Sequence, residues 1–546
     1  MNEKWQTKEQ MIDLLTDLVQ YASITGSEGE VALAEYLYYV LKDFPYFGEN
    51  PEYLQLHPLR DGRYFLSALV KKEPATSDTI VLLSHFDVVE VLDYGEFKNL
   101  AFRPHELTSE FLLRKELLPD SARKDAESQE WLFGRGTMDM KAGLTVQLSM
   151  LEKAMKGEFE GNILLLTVPD EEANSAGMIG AVPVLEDMKL KENLSYTACV
   201  NSEPMFARYP NDQNYYVYTG SIGKVLAGFY CSGVETHVGE PFSGLNSNLM
   251  VSEINRLLEL NSEFCEKVKD EVTPPPTNLM QKDLKEQYSV QIPHASVSLF
   301  NLLVMKRSAE DLHAMLFSTA EQAAENIEKY MKNRVKEMQE FVQFDYRDYS
   351  IHVFSYDELV KLAISKFGEA EVGRRLNYLS ANRGDIGDRD FSTKIVAEVA
   401  ALCKDHSPMI VTFYSPPFYP AVSSSQDPLI NQTVEGLIEY AKNQFSIPLV
   451  NQNYFAGLSD LSFLQLNDSD HAIGQLVSNM PLYGNDYFLP INEMKALNIP
   501  IVNVGPVGRD PHKWTERLHL PYTFETLPKL LTFTLKTLFE KVNSGE

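Results

Sequence analysis

The sequence predicts an α/β protein with a mainly parallel central sheet covered by helices, and an inserted α+β domain. Two observations carry this. Buried-strand runs alternate with helical stretches through the first two hundred residues, which is the pattern of a sheet built from crossover connections. Near Asn211 the character changes to alternating aromatic and small residues and then long helices. Strand–helix alternation returns after Ser415-Pro416-Pro417. A chain of 546 residues is also too long for one hydrophobic core. The expected division is 1–212 and 419–546 for a discontinuous main domain, with 213–418 inserted.

The elements follow in order. Met11, Ile12, Leu14, Leu15, Leu18 and Val19 have helical spacing within 8–22. Ser27 with Glu30 is a capping-box pattern that opens a second helix, running to about Leu41. Strands at 63–71 and 79–86 come next, then a helix from Met140 to Lys156, a strand at 162–168, a helix at 176–188 and a strand at 196–201. Between them, Ser109 to Glu130 is charged and poorly periodic and reads as a surface insertion. In the inserted domain, 215–232 is strand-like and helices cover 247–270, stopped by Pro274-Pro275-Pro276. A strand at 295–305, a helix at 309–340 and a strand at 410–414 complete it. A helix at 429–442, an apolar run ending at Val504 and a helix at 523–542 resume the first pattern.

Lys plus Arg number 49 and Asp plus Glu 77, a net charge of −28 that repels nucleic-acid phosphate and anionic membrane. The four cysteines form no CxxC pair, so neither structural zinc nor a disulfide framework is expected. Residues 1–10 are polar without an apolar h-region, and no run approaches 18 apolar residues. A cytoplasmic protein without membrane or nucleic-acid partners is the expectation.

The chemistry sits where apolar runs end, the edge at which open α/β sheets gather ligands. The run 79–84 leads into His85-Phe86-Asp87, 162–168 into Asp170-Glu171-Glu172, and 196–200 into Asn201-Ser202-Glu203. A Gly-Arg-Gly turn at 134–136 places Asp139 at the mouth of a helix, and the run 499–504 leads through a glycine-rich loop to His512. Asp87 can accept a ring N–H of His85 and fix its tautomer. Asp139 has two oxygens and can bridge two cations. Adjacent acids such as Glu171 and Glu172 repel unless one binds a cation and the other handles a proton. Each residue also has a bland reading: a buried His–Asp pair, a helix-cap aspartate, solvated loop acids. His519 competes with His512, which is preferred. Histidine and carboxylate donors without thiolate suit zinc in a site open to water, and oxygen-rich ligation also admits manganese or cobalt.

The strings VLLSHFDVVEV, WLFGRGTMDMKAGL, LTVPDEEANSAGM, NSEP, GLSDLSF and DPHKWTE resemble, in order, the motifs of the aminoacylase, dipeptidase and desuccinylase family of co-catalytic zinc hydrolases. THVGEPFSGLNSN is similar to the start of that family's lid domain. In length, and in its enlarged middle region, the chain looks most like the RocB branch, which is associated with arginine utilisation in bacilli. The resemblance implies that 1–212 and 419–546 form a zinc-peptidase-like catalytic domain and 213–418 a lid. It implies one zinc on His85, Asp139 and Glu203, and another on Asp139, Glu172 and His512. Asp87 then orients His85, Glu171 is the general base, His237 is the lid histidine that reaches the substrate carbonyl, and Asn246 is a substrate contact. For His237 and Asn246 a surface histidine and a helix cap are the plain alternatives. The family often carries an arginine on a lid strand. The matching strand here, 296–303, has none, and Arg307 lies just beyond. The enlarged lid leaves two assemblies open, a homodimer through the lid or a monomer.

The expected activity is hydrolysis of an amide-type C–N bond of a small N-acyl or N-carbamoyl amino acid, in arginine, ornithine or citrulline catabolism. A cytosolic di- or tripeptidase is the alternative within the same chemistry. A non-catalytic metal-dependent binding protein is the alternative outside it. No G-x-S-x-G elbow is present, and Gly220-Ser221-Ile222-Gly223-Lys224 has the wrong spacing for a phosphate loop.

Overall fold

The computed structural model describes residues 3–209, 212 and 214–544. Asn211, where the change of character falls, and residue 213, where the inserted domain is expected to begin, lie outside them. The chain forms two compact units. One comprises Met1–Ile222, Pro420–Leu466 and Pro490–Glu546, the other Gly223–Tyr419 and Asn467–Leu489. The second unit thus takes up 467–489, which the sequence reading gives to the main domain. The reason is local: the helix Asp470–Ser478 packs on the long helix Ala309–Gln339.

The first unit is built on an eight-stranded sheet. Its strands run, in spatial order, Leu54–Pro58, Tyr64–Val70, Asn162–Val168, Asp78–His85, Ser195–Asn201, Ile501–Asn503, Tyr215–Tyr218 and Leu449–Gln452. The centre is parallel: Asp78–His85 pairs with Asn162–Val168 and Ser195–Asn201, which in turn pairs with Ile501–Asn503. One edge is antiparallel. Thr79 to His85 and the whole of Asn162–Val168 are buried, which is why those strands read as unbroken apolar runs rather than alternating ones. The helix Lys141–Met155 is buried through its first twelve residues. It packs against Lys8–Gln20, Leu527–Ser544 and the strands Asn162–Val168 and Asp78–His85. Ser27 caps Glu28–Lys42 through Gly29 N, but Glu30 does not close a capping box. Its carboxylate turns inward to Gly26 N and Arg63.

The stretch read as a surface insertion is folded. Pro104–Leu113 and Asp120–Ser128 are helices. They pack a second hydrophobic cluster around Tyr94, Phe97, Phe111, Trp131 and Phe133. The second helix looks polar because it buries only Ala122, Asp125 and Ala126. A small sheet of Gly508–Arg509, Arg517–His519 and Trp131–Phe133 ties the His512 loop to the strand that precedes the Gly134 turn.

The second unit has a five-stranded sheet, in spatial order Thr277–Asp283, Ala295–Val304, Gly223–Ser232, Met409–Tyr419 and His352–Ser355. Its first four strands are antiparallel and the last is parallel. Of the helices expected over 247–270, the α-helix Ser247–Leu258 forms, and a short turn and two-residue strands follow it. Tyr356–Phe367, Glu369–Ala381 and Asp388–Leu402 are helices that carry no expectation from the sequence. Among the described residues no helix is long and apolar enough to cross a membrane.

Candidate metal centre

His85 ends its strand and is buried. Its Nδ1 faces the Asp87 carbonyl at 3.1 Å and the Asp87 carboxylate at 3.4 Å. Asp87 lies beyond the strand end, and its burial is complete. Its Oδ1 accepts from Glu171 N at 3.0 Å, and its Oδ2 accepts from Glu172 N at 3.2 Å and Thr25 Oγ1 at 2.8 Å. One carboxylate therefore fixes both an imidazole and the backbone of the paired glutamates.

The other ring nitrogen of His85 points at acids. Nε2 stands 3.4 Å from Asp139 Oδ1, 3.5 Å from Glu203 Oε1 and 3.9 Å from Glu171 Oε2. Asp139 reaches the other way too, with Oδ2 3.3 Å from His512 Nε2. The same nitrogen is 3.0 Å from Glu172 Oε1. Asp139 is thus shared between two imidazoles and is not a helix cap, since Met140 occupies the cap of Lys141–Met155. Potential donor atoms converge within 4.8 Å in the groups His85–Asp139–Glu203, Asp139–Glu172–His512 and His85–Glu171–Glu172.

Neighbouring structure holds these side chains. Asp170, at φ 72°, accepts three amides of the following turn on its carbonyl oxygen, and its amide donates to Glu30 Oε1 at 3.0 Å. Arg63 joins Glu30 and Asp170 at 3.0 and 2.8 Å. Glu516 Oε1 accepts from Gly136 N at 2.8 Å, and its Oε2 pairs with Arg135 at 2.7 Å, so the turn before Asp139 is pinned from beneath. Asn503 Nδ2 donates to the Glu203 carbonyl at 3.0 Å.

Burial and like charge dominate the electrostatics of the cluster. Burial, together with the charges of Glu203, Asp460 and Glu172, pushes Glu171 well above the usual carboxylate range, and His85 only partly offsets this. Glu203 is raised likewise by burial and its acid neighbours. Burial would lower His85, but Glu203, Asp139, Asp87 and Glu171 outweigh it and favour the imidazolium. Hydrogen bonds to Asp139 and Glu172 raise His512 to about 10. Acids outnumber bases in this buried cluster, an arrangement that needs cations or bound protons. The donor set of imidazole and carboxylate without thiolate fits divalent ions of the zinc, manganese or cobalt type.

Asp460 was missed in the sequence reading. It is buried in a 3₁₀ turn, raised to about 7 by burial and by the surrounding acids, and its Oδ1 lacks a hydrogen-bond partner. No periodicity marks it, but the GLSDLSF string contains it. Glu30 could have been found, since it shares the apolar stripe of Leu33, Leu37 and Leu41. His519 stands apart from the cluster, its ring 4.9 Å from that of Trp131 and its Nε2 3.6 Å from Glu130. In the second unit His237 is exposed, and its Nδ1 accepts from Gly239 N at 3.1 Å. Asn246 caps Ser247–Leu258 through Asn248 N. Arg307 donates to the Phe264 and Glu263 carbonyls. Within 383–390, Arg383 pairs with Asp388 and lies 4.9 Å over the Phe391 ring.

The profile of Peptidase family M20/M25/M40 matches residues 81–486. Protein YqjN of Bacillus subtilis (strain 168) is 61% identical over 541 residues, 99% of this chain and 98% of that one. Protein RocB of the same strain is 30% identical over 543 residues, covering 97% of this chain and 95% of its own. Among solved structures, the M20 family metallo-carboxypeptidase Sso-CP2 from Sulfolobus solfataricus superposes with a TM-score of 0.53 at 13% identity, over 97% of this chain and 99% of that one. The chain therefore belongs to peptidase family M20/M25/M40, in a RocB-like branch, and is a hydrolytic enzyme of the metallopeptidase type.

Proposed function

We propose that this enzyme uses two divalent ions to cleave an amide-type C–N bond of a small amino-acid derivative. The substrate class is an N-acyl or N-carbamoyl amino acid of the arginine–ornithine–citrulline series. The observation that carries the reading is Asp139 lying between two histidine–carboxylate groups, with Glu171 left over beside them. Likeness to RocB supports the arginine-related series. A probable succinyl-diaminopimelate desuccinylase of Staphylococcus aureus (strain MRSA252), 27% identical over 52% of this chain and 59% of its own, supports an N-acyl substrate.

His85, Asp139 and Glu203 would hold one ion, and Asp139, Glu172 and His512 the other. Zinc suits these donors best. Ions bound there would supply Lewis acidity and would lower the pKa of water toward about 7. Asp87 keeps the His85 ring oriented. Glu171 takes the proton of the attacking water and delivers it to the departing nitrogen. Its place beside both histidine–carboxylate groups suits that double task, since Glu171 Oε2 stands 3.9 Å from His85 Nε2 and is not needed in either ion's ligand set. His237 is assigned to the substrate carbonyl. With Nδ1 occupied as an acceptor, the neutral ring carries its proton on Nε2, the donor this role needs. Asn246 is assigned to a substrate contact through the amide NH₂ that its capping role leaves over.

The test is amine release from zinc-loaded enzyme offered N-acyl amino acids, ureido acids and dipeptides. Release confined to dipeptides would replace this reading with a peptidase. Glu171→Gln should retain metal and lose turnover by roughly 10²–10⁴-fold. Undiminished turnover in that variant removes Glu171 from the mechanism.

A further inference from the structure

His512 stands on a loop with two non-glycine residues in the left-handed region. Asp510 and His512 have φ of 58° and 59°, a region that non-glycine residues occupy when their surroundings over-determine it. The constraint comes from the helical segment at 104–130. Arg517, almost wholly buried, donates through Nε to Asp125 Oδ2 at 2.7 Å, and through Nη1 to Asp510 and to the Thr515 carbonyl. Thr515 Oγ1 adds a bond to Asp510 Oδ2 at 2.8 Å. At the other end of the loop, Arg509 Nη1 reaches both Asp125 oxygens at 2.9 and 2.8 Å, and its guanidinium lies 4.9 Å from the Trp131 ring centroid. The two arginines that flank His512 therefore converge on one buried carboxylate. That carboxylate belongs to the helix Asp120–Ser128, which Ala122 and Ala126 anchor in the cluster with Phe111, Trp131 and Phe133. Charge-assisted guanidinium–carboxylate contacts of this kind are short and directional.

We infer that Asp125 is a positioning residue for His512, fixing the loop from outside the metal cluster and setting the affinity of the cation held by Asp139, Glu172 and His512. This rests on the two-ion reading above. It gives the 104–130 segment a task, since neither Asp125 nor its helix carries a reacting group.

Metal-free Asp125→Asn, His512→Ala, the double variant and wild type are titrated with Zn²⁺ against a chromophoric chelator. Asp125→Asn should weaken one of two ions by roughly 10–100-fold. It should be the same ion that His512→Ala loses, with the other ion unaffected. The double variant should bind no more weakly than His512→Ala, because the effect travels through the imidazole. Equal weakening of both ions, unchanged binding, or additive losses overturn the assignment. If His512→Ala loses an ion while Asp125→Asn binds normally, only the positioning role falls. If His512→Ala binds two ions as wild type does, the metal-centre reading falls with it. Should Asp125→Asn fail to fold, Arg509→Gln alters a half-exposed side chain and should weaken the same ion several-fold; no change there overturns the role.

Discussion

Replacing Gly143 by alanine sets two rules against each other. On helix propensity the change stabilises by up to about 1 kcal/mol. Packing predicts the reverse. A Cβ on Gly143 would stand 2.2 Å from the Ser202 carbonyl oxygen, 2.9 Å from Met140 Cε and 3.0 Å from Ser202 Cβ. Ordinary contact begins near 3.4 Å, so the helix Lys141–Met155 and the chain at Ser202 must part by about 1 Å in a dense interior. Overpacking of this kind costs about 1–3 kcal/mol and should outweigh the propensity gain. Ser202 also precedes Glu203, so the displacement loosens the His85–Asp139–Glu203 group as well. Urea unfolding of metal-free protein should show a net loss of up to about 2 kcal/mol, the packing cost of about 1–3 less a propensity gain of about 1. Zinc titration should show one weakened ion. Gly373→Ala, in the helix Glu369–Ala381 with nothing within 4 Å, is the control and should gain about 0.5–1 kcal/mol. A Gly143→Ala protein as stable as wild type, with both ions bound normally, would refute the packing argument.

Other perturbations follow from the same contacts. Removing metal with a chelator should lower the melting temperature, and added zinc at about 100 times its Kd should restore about 2.7 kcal/mol; a melting temperature indifferent to zinc contradicts a resident ion. Glu516→Ala leaves the buried Arg135 guanidinium with Asp93 as its remaining ion-pair partner and the Glu90 carbonyl as a further acceptor, and should cost about 3 kcal/mol in denaturant unfolding. His57 stacks on Phe65 at 4.6 Å, and burial lowers its pKa to about 4. Its folded pKa is depressed, so the stability it contributes is present above pH 6.5 and lost as pH falls through about 4. Wild type should therefore lose more stability than His57→Phe between pH 6.5 and 4, by roughly 1–2 kcal/mol once solvent screening at its partly exposed edge is allowed for. Parallel pH profiles would contradict that cause.

The parallel centre of the sheet was legible because strands buried on both faces are continuous apolar runs, and acids at their ends stand out. His85, Glu171, Glu172 and Glu203 could be picked out for that reason. What the sequence hid is of other kinds. Leu54–Pro58 is a half-exposed antiparallel edge without an apolar run. Asp120–Ser128 buries one carboxylate between two alanines, so its pattern looks solvated. Asp460 lies in the GLSDLSF string, but its burial among the acids depends on contacts from distant segments that no local periodicity marks. The second unit's helices from Tyr356 to Leu402 are amphipathic but lie in a region already interrupted by turns, where periodicity had little length to act on.

The strand Ile501–Asn503 fills the slot between Ser195–Asn201 and Tyr215–Tyr218, and Asn503 holds the Glu203 carbonyl across 300 residues of sequence. A growing chain on the ribosome must therefore carry an open sheet slot, with the flank of Ser195–Asn201 unpaired, until synthesis passes residue 503. Closure over so long a separation is slow and leaves nascent edges open to mispairing. This enzyme should accordingly be more sensitive to elongation rate and chaperone supply than to small changes in the equilibrium stability of its finished fold.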